Sequence, residues 1–200
     1  MDGLNEYTIT EALKREIPKR VTSSTVLVPL VPDEIGGYGV LFEIRSQNVS
    51  QPGEVSFPGG HLEPGEEPVD AVRREVREEL GIPESEIKIL GMLPRERIHA
   101  GKRVRPFVGV ISRMAADNLK ISDEVAGTFE MPLSYFIENP PETYNYRMKM
   151  TIDEDLPPVL QNHLKVERPY GTTLYWDCGG KGLWGMTARI LSNLLVLLRQ

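Results

Sequence analysis

A proline at position 68, a glycine at 81 and four aliphatic residues between them restrict the fold of this chain more than any other stretch. Proline has no N–H to lose in the first turn of a helix, and glycine readily ends one, so these residues predict a helix from Pro68 to Leu80 that stops at Gly81. Val69, Val72, Val76 and Leu80 recur at i, i+3, i+7 and i+11 and form one apolar stripe. Such a helix must bury its stripe, and the flanking sequence offers strands to bury it on. Residues 24–30 and 40–45, rich in Val, Leu and Ile, predict an antiparallel hairpin around Pro32, Gly36 and Gly37. Further strands are predicted at 54–57, 87–93, 103–111 and 119–121, with a short helix at 132–137. Residues 143–151 and 172–177 alternate polar and apolar side chains in places, Pro157 and Pro158 break the stretch between them, and 183–198 is predicted as a packed helix. The lead-in at 6–19 is short, charged and helical, ending near Pro18. Strands before and after one central helix, with a second helix at the end, predict an α+β or α/β sandwich with a mixed sheet between helical layers.

Two hundred residues, 40% of them hydrophobic, supply one core. No repeat, low-complexity tract or linker divides them, so a single domain over 1–200 is expected, its core at about 22–198 after an extension at 1–21. A net charge of -6 repels polyanions, which argues against nucleic acid as a partner and requires a cation before a small anionic substrate is held. The single cysteine, Cys178, forms no internal disulfide. Residues 1–20 lack the apolar stretch and cleavage site of a secretory signal. The segment 183–198 is interrupted by Arg189 and Asn193 and is shorter than the ~20 residues of a membrane span. The last residues, Leu198, Arg199 and Gln200, are not a peroxisomal address. The expected compartment is the cytoplasm, with no membrane partner; a homodimer stays open.

Glu75, Glu78 and Glu79 share a face of the predicted helix, about a right angle from the valine stripe at ~100° per residue. Like charges at this spacing destabilise a helix by a few tenths of a kcal/mol per pair, roughly, unless a cation offsets them. Carboxylate oxygens suit Mg²⁺ or Mn²⁺, and Mg²⁺ keeps positions open for water and phosphate oxygens. Arg74, four residues before Glu78 and eight after Glu66, is placed to orient one of those acids. On a helix without this setting, three glutamates read as a solvated, salt-bridged surface. This face is expected to be exposed.

The setting is specific. Gly60, five residues, Glu66, seven residues, then Arg74-Glu75-Val76-Arg77-Glu78-Glu79-Leu80-Gly81-Ile82 resembles, without a gap or a missing position, the signature of the Nudix family. The resemblance implies an α/β/α sandwich with a catalytic loop-helix-loop that binds divalent cations, Mg²⁺ or Mn²⁺, to hydrolyse nucleoside diphosphates linked to another moiety. It implies Glu75, Glu78 and Glu79 as metal ligands, Glu66 and Arg74 as supporting residues, and Gly60 as a backbone contributor. The general base differs among such enzymes and stays open between Glu75, Glu79 and Glu124, the last in a later loop that also reads as a solvated turn.

Upstream, Leu41-Phe42-Glu43-Ile44-Arg45-Ser46 leads through Gly53 to Phe57-Pro58-Gly59-Gly60. This is similar to the element before the box in Nudix coenzyme A diphosphatases, which runs Leu-Leu-Thr-x-Arg-Ser, three residues, Arg, three residues, Gly, three residues, Phe-Pro-Gly-Gly. Ser50 stands where that element carries its second arginine, and the gap from it to Gly53 is one residue short. Residues 26–30, 123–125, 132–135 and 183–191 resemble the same subgroup. The implied reaction cleaves coenzyme A or its thioesters to adenosine 3',5'-bisphosphate and 4'-phosphopantetheine or its acyl derivative, with Arg45, Gly59 and Gly60 at the substrate. Of the basic residues Arg45, Arg95, Arg97, Lys102, Arg103 and Arg105, only Arg45 ranks above surface background. ADP-ribose or another nucleotide sugar is the alternative substrate. A non-catalytic binding module would be expected to have lost glutamates that are all present here, and nothing suggests the proton donor of an isomerase on the same fold. His61 reads as solvent-facing, His99 and His163 lack partners, Cys178 reads as a buried structural thiol, and Tyr170, Tyr175 and Trp176 read as core rather than as a stacking platform for adenine.

Overall fold

The computed structural model of the chain describes residues 5–13, 24–97, 103–149, 157, 159 and 167–199. In chain order its elements are α1 (Glu6–Leu13), β1 (Ser24–Pro32), β2 (Tyr38–Arg45), β3 (Val55–Ser56), α2 (Pro68–Leu80), β4 (Ile87–Met92), β5 (Glu96–Arg97), β6 (Arg103–Ile111), α3 (Arg113–Ala116), β7 (Val125–Pro132), α4 (Leu133–Glu138), β8 (Glu142–Lys149), β9 (Glu167–Asp177), β10 (Gly182–Trp184) and α5 (Gly185–Leu198). Positions 14–19 of the lead-in, His99, Lys102, Thr151, Pro158 and His163 lie outside the described residues, as do the side chains of Arg97 and Tyr170.

Strand β1 is buried along almost its whole length, as a central strand covered on both faces must be. It forms the expected hairpin with β2, Leu30 opposite Val40, and runs parallel to β6, Leu27 beside Phe107. β4 and β5 pair antiparallel to β6, while β3 and β7 pair antiparallel to β2, so the seven-stranded sheet is mixed. Side chains alternate across it. Leu27, Val31, Leu41, Phe107 and Ile111 face Val72, Val76 and Leu80 of α2. Val28, Leu30, Val40, Phe42, Val108 and Val110 face the other way, toward Ile9 of α1, Phe136 of α4 and Ile190, Leu191 and Leu194 of α5. The helical stripe and the strand alternation thus account for the layered sandwich.

A second, three-stranded antiparallel sheet of β8, β9 and β10 feeds this outer layer. Trp176 of β9 is buried edge-on against Phe136, and its indole N–H donates to the Asn139 carbonyl at 2.8 Å. It is core. Among the described residues no helix is long and apolar enough to cross a membrane.

Helix α2 starts and stops where the sequence places it. Pro68 occupies its first turn, and Gly81 adopts φ 70°, its N–H closing the last turn on the Arg77 carbonyl. Three other expectations change. Residues 119–121 form no strand, because the N–H groups of Lys120 and Ser122 donate instead to the Leu80 and Glu79 carbonyls that α2 leaves open at its end. The 125–132 stretch, not predicted as a strand, pairs with β2. The predicted helix at 183 begins at 185, since Leu183 and Trp184 first pair with β9.

Candidate active site

Between β3 and α2 the chain runs beside β1. The N–H groups of Leu27 and Thr25 donate to the Pro58 and Gly60 carbonyls, each at 2.9 Å, and Ser24 bridges to His61. The contact is too close for a side chain at Gly59. Its φ is 147°, and a Cβ there would come within 2.2 Å of the Thr25 carbonyl oxygen. A Cβ on Gly60 would lie 2.5 Å from Glu75 Oε1, so the absent side chain is what admits that carboxylate to the loop.

Arg74 joins this loop to the helix. Its guanidinium grips Glu66 with two parallel hydrogen bonds, at 2.9 and 3.0 Å, and also donates to Glu75, Glu78 and the His61 carbonyl, each at 3.0 Å. This contact holds the Glu66 carboxyl below its usual range, the hydrogen bonds from Arg74 being the main cause. In return, Glu66 accepts the Glu63 N–H at 2.9 Å, which tightens the turn before the helix. The expected supporting pair is therefore assembled. His61 is exposed and contributes its backbone.

The three helix glutamates do not share one exposed face. At 3.6 residues per turn Glu79 falls only ~20° from Val72, Glu75 farther round, and Glu78 farthest. Exposure follows that order: Glu79 is 6% exposed, while the side chains of Glu75 and Glu78 are 16% and 50% exposed. Glu79 Oε2 accepts the Gly59 N–H at 2.7 Å. Burial, then the neighbouring Glu43, push its carboxyl up to about 9; the Gly59 hydrogen bond opposes the shift. Burial likewise raises Glu75, with Arg74 acting against it.

The sequence places Glu43 in a strand and in the element before the glycine loop, with no role of its own. Its position in β2 has the parity of Leu41, so its side chain enters the layer beneath α2, 2% exposed. Ser56 donates to its Oε1 at 2.7 Å, while its Oε2 is buried without a hydrogen-bond partner. Burial raises its pKa, and Glu75 and Glu124 add to the rise. The available signal was an acid at an inward position of an otherwise apolar strand.

Glu124 approaches from the loop that docks on the end of α2. Its carbonyl accepts the Ser46 N–H at 2.9 Å, and Asn48 reaches the Asp123 carbonyl at 3.3 Å. The Glu124 carboxylate is exposed, yet its charge acts on Glu43, Glu75 and Glu79. Arg45 lies at the adjoining end of β2, and its Nε donates to the Ser50 carbonyl at 2.7 Å, so the arginine is braced by the loop that departs from the coenzyme A element. Arg95 and Arg105 each bury an Nε without a partner, and burial lowers the Arg105 pKa. Cys178 is buried, its thiol pushed up to about 11 by desolvation, as a structural cysteine would be.

Among the described residues no three Asp, Glu, His or Cys side chains stand ready as a ligand set, and Arg74 engages one oxygen of Glu75 and one of Glu78. The donor chemistry nevertheless fits a hard divalent cation. Carboxylates are gathered from β2, α2 and the 122–124 loop, two of them are buried against their charge, and one buried oxygen is unpartnered.

Residues 22–149 match the family model described as NUDIX domain. The chain is similar to Nudix hydrolase 3 of Caenorhabditis elegans, 33% identical over 88% of this chain and 73% of that protein. It is also similar to the uncharacterized Nudix hydrolase NudL of Enterobacter sp. (strain 638), 36% identical over 61% of this chain and 62% of the relative. Among solved structures it is similar to an Ap4A hydrolase binary complex from C. elegans, at 23% identity over 57% of this chain and 83% of the other, with a TM-score of 0.48.

Proposed function

Because the chain belongs to the NUDIX domain family and is a pyrophosphohydrolase acting on diphosphate-containing substrates, we propose that the diphosphate it cleaves is that of coenzyme A or a coenzyme A thioester. What supports the hydrolytic site is the meeting of Glu79, Glu75 and Glu43 around the Gly59-Gly60 loop. What supports the substrate is the element at 41–60, which carries Arg45, Gly53 and Phe57-Pro58-Gly59-Gly60 and lies against that acidic cluster. The metal ligands on this reading are Glu75, Glu78 and Glu79, with Mg²⁺ or Mn²⁺ as the ion and the cytoplasm as the compartment.

A divalent cation, when bound, neutralises charge accumulating on the phosphate oxygens and makes water more acidic. The chain's own groups supply the rest. Arg74 fixes Glu75 and Glu78, and the Gly59 N–H fixes Glu79. Water attacks one phosphorus as the bridging P–O bond breaks, and a carboxylate of Glu75, Glu79 or Glu124 takes the proton. Arg45, braced by Ser50, offers its remaining N–H groups to a phosphate.

The deciding experiment incubates the protein with coenzyme A and Mg²⁺ or Mn²⁺ and identifies the products, beside a parallel reaction with ADP-ribose. Adenosine 3',5'-bisphosphate with 4'-phosphopantetheine is expected. Rapid turnover of ADP-ribose with coenzyme A untouched would reject the substrate.

A further inference from the structure

The buried Glu43 is not part of the glutamate triplet on α2, yet it is the most deeply enclosed acid in the site, 2% exposed against 6% for Glu79. The two edges of β2 hold it from both sides, with Ser56 opposite it on β3 and Thr128 opposite it on β7. Its parity with Leu41 directs the side chain toward α2, which brings Glu75 and Glu79 to the same place. Only one of its oxygens is satisfied. Ser56 takes Oε1, and Oε2 remains buried with no donor.

A carboxylate oxygen enclosed in this way costs free energy unless something compensates it. Packing does not account for a charged side chain here, because the layer between β2 and α2 that encloses it is otherwise largely apolar. Nor does Arg45 supply the missing partner, for its Nε is committed to the Ser50 carbonyl and lies two residues along β2. A second acid beside Glu79 is repulsive in the absence of a cation, and becomes a ligand pair with one.

We propose that Glu43 donates its unpartnered Oε2 to the divalent cation of this site, making β2 a second source of ligands beside α2. The inference rests on the cation-dependent part of the proposed function and is independent of the identity of the diphosphate. Ser56 then serves to orient the carboxylate, holding Oε1 and turning Oε2 toward the cation.

The test is Mn²⁺ binding to the isolated protein without substrate, measured by titration calorimetry on wild type, Glu43→Gln and Glu43→Thr. Thermal unfolding in EDTA reports whether each variant is folded. Mn²⁺ affinity is expected to fall about tenfold or more in both variants. Glu43→Gln keeps the size of the side chain and can keep the Ser56 contact, so it decides the matter if the threonine variant does not fold. Wild-type Mn²⁺ affinity in a folded variant would overturn the role, and a purely structural glutamate would show that result together with a shifted unfolding temperature. If wild type takes up no Mn²⁺, both this proposal and the cation half of the proposed function fail; if it binds Mn²⁺ but leaves coenzyme A intact, only the substrate reading fails.

Discussion

The Gly59 N–H donates to Glu79 Oε2 at 2.7 Å across twenty residues of sequence, tying the loop beside β1 to the last turn of α2. Both ends of that bond are constrained. Gly59 is at φ 147° with β1 backbone where its Cβ would lie, and Glu79 is enclosed by the sheet. Gly59→Ala must therefore push the loop off β1 and pull the donor away from Glu79. Such a substitution in a glycine-only conformation costs about 1–3 kcal/mol. A lower unfolding temperature together with loss of diphosphate hydrolysis is expected, and an alanine variant that melts and turns over like wild type would contradict the geometry.

Glu79→Gln separates chemistry from folding. The sequence places this residue on an exposed face, whereas the structure buries it, so tolerance of the change rests on the hydrogen bond it keeps. A glutamine oxygen can still accept the Gly59 N–H, and the amide replaces an ionisable group beside Glu43 with one that cannot charge. The variant should fold at least as stably as wild type in EDTA and lose about 10²-fold or more of its turnover. Steady-state kinetics and a thermal melt on the same sample check both halves, and wild-type rates from a folded variant would remove Glu79 from the mechanism.

Stability should also carry the signature of these acids. Burial and the neighbouring Glu43 raise the Glu79 carboxyl to about 9, well above its value of 4.5 in the unfolded chain. Between those limits the folded protein retains a proton that the unfolded chain releases. The stabilisation is complete below pH 4.5 and is lost as pH rises through 9. In EDTA the unfolding temperature of wild type should fall more steeply across this window than that of Glu79→Gln. Equal slopes would show that Glu79 ionises normally, and Mn²⁺ should flatten the wild-type slope by stabilising the charged form.

The limits of α2 were legible because proline and glycine act locally, and its packing face because the valines repeat with the helix. The distribution of its acids was less legible. Spacing grouped Glu75, Glu78 and Glu79, but the neighbouring sheet buries Glu79, only ~20° from Val72, and leaves Glu78 half exposed farther round the helix. Glu43 illustrates the same limit from the other side. Its inward parity could be read in β2, whereas its approach to α2 depends on the pairing of strands distant in sequence. Residues 119–121 had the composition of a strand, but the open carbonyls at the end of α2 claimed the N–H groups of Lys120 and Ser122.

Arg74 offers a test of geometry at constant charge. Its planar guanidinium meets both oxygens of Glu66 while also reaching Glu75, Glu78 and the His61 carbonyl. Lysine keeps the positive charge but cannot reproduce a two-pronged grip and three further contacts from one ammonium group. With hydrogen bonds to charged groups each worth about 1.5–3 kcal/mol, Arg74→Lys should lose roughly 2 kcal/mol of stability, since some contacts survive. Released from this clamp, Glu75 and Glu78 lose their fixed orientation, so kcat should fall by about tenfold or more. Urea unfolding and kinetics at saturating substrate measure the two effects. A lysine variant with wild-type kcat would mean that charge alone suffices at position 74 and that the fork has no part in setting the carboxylates.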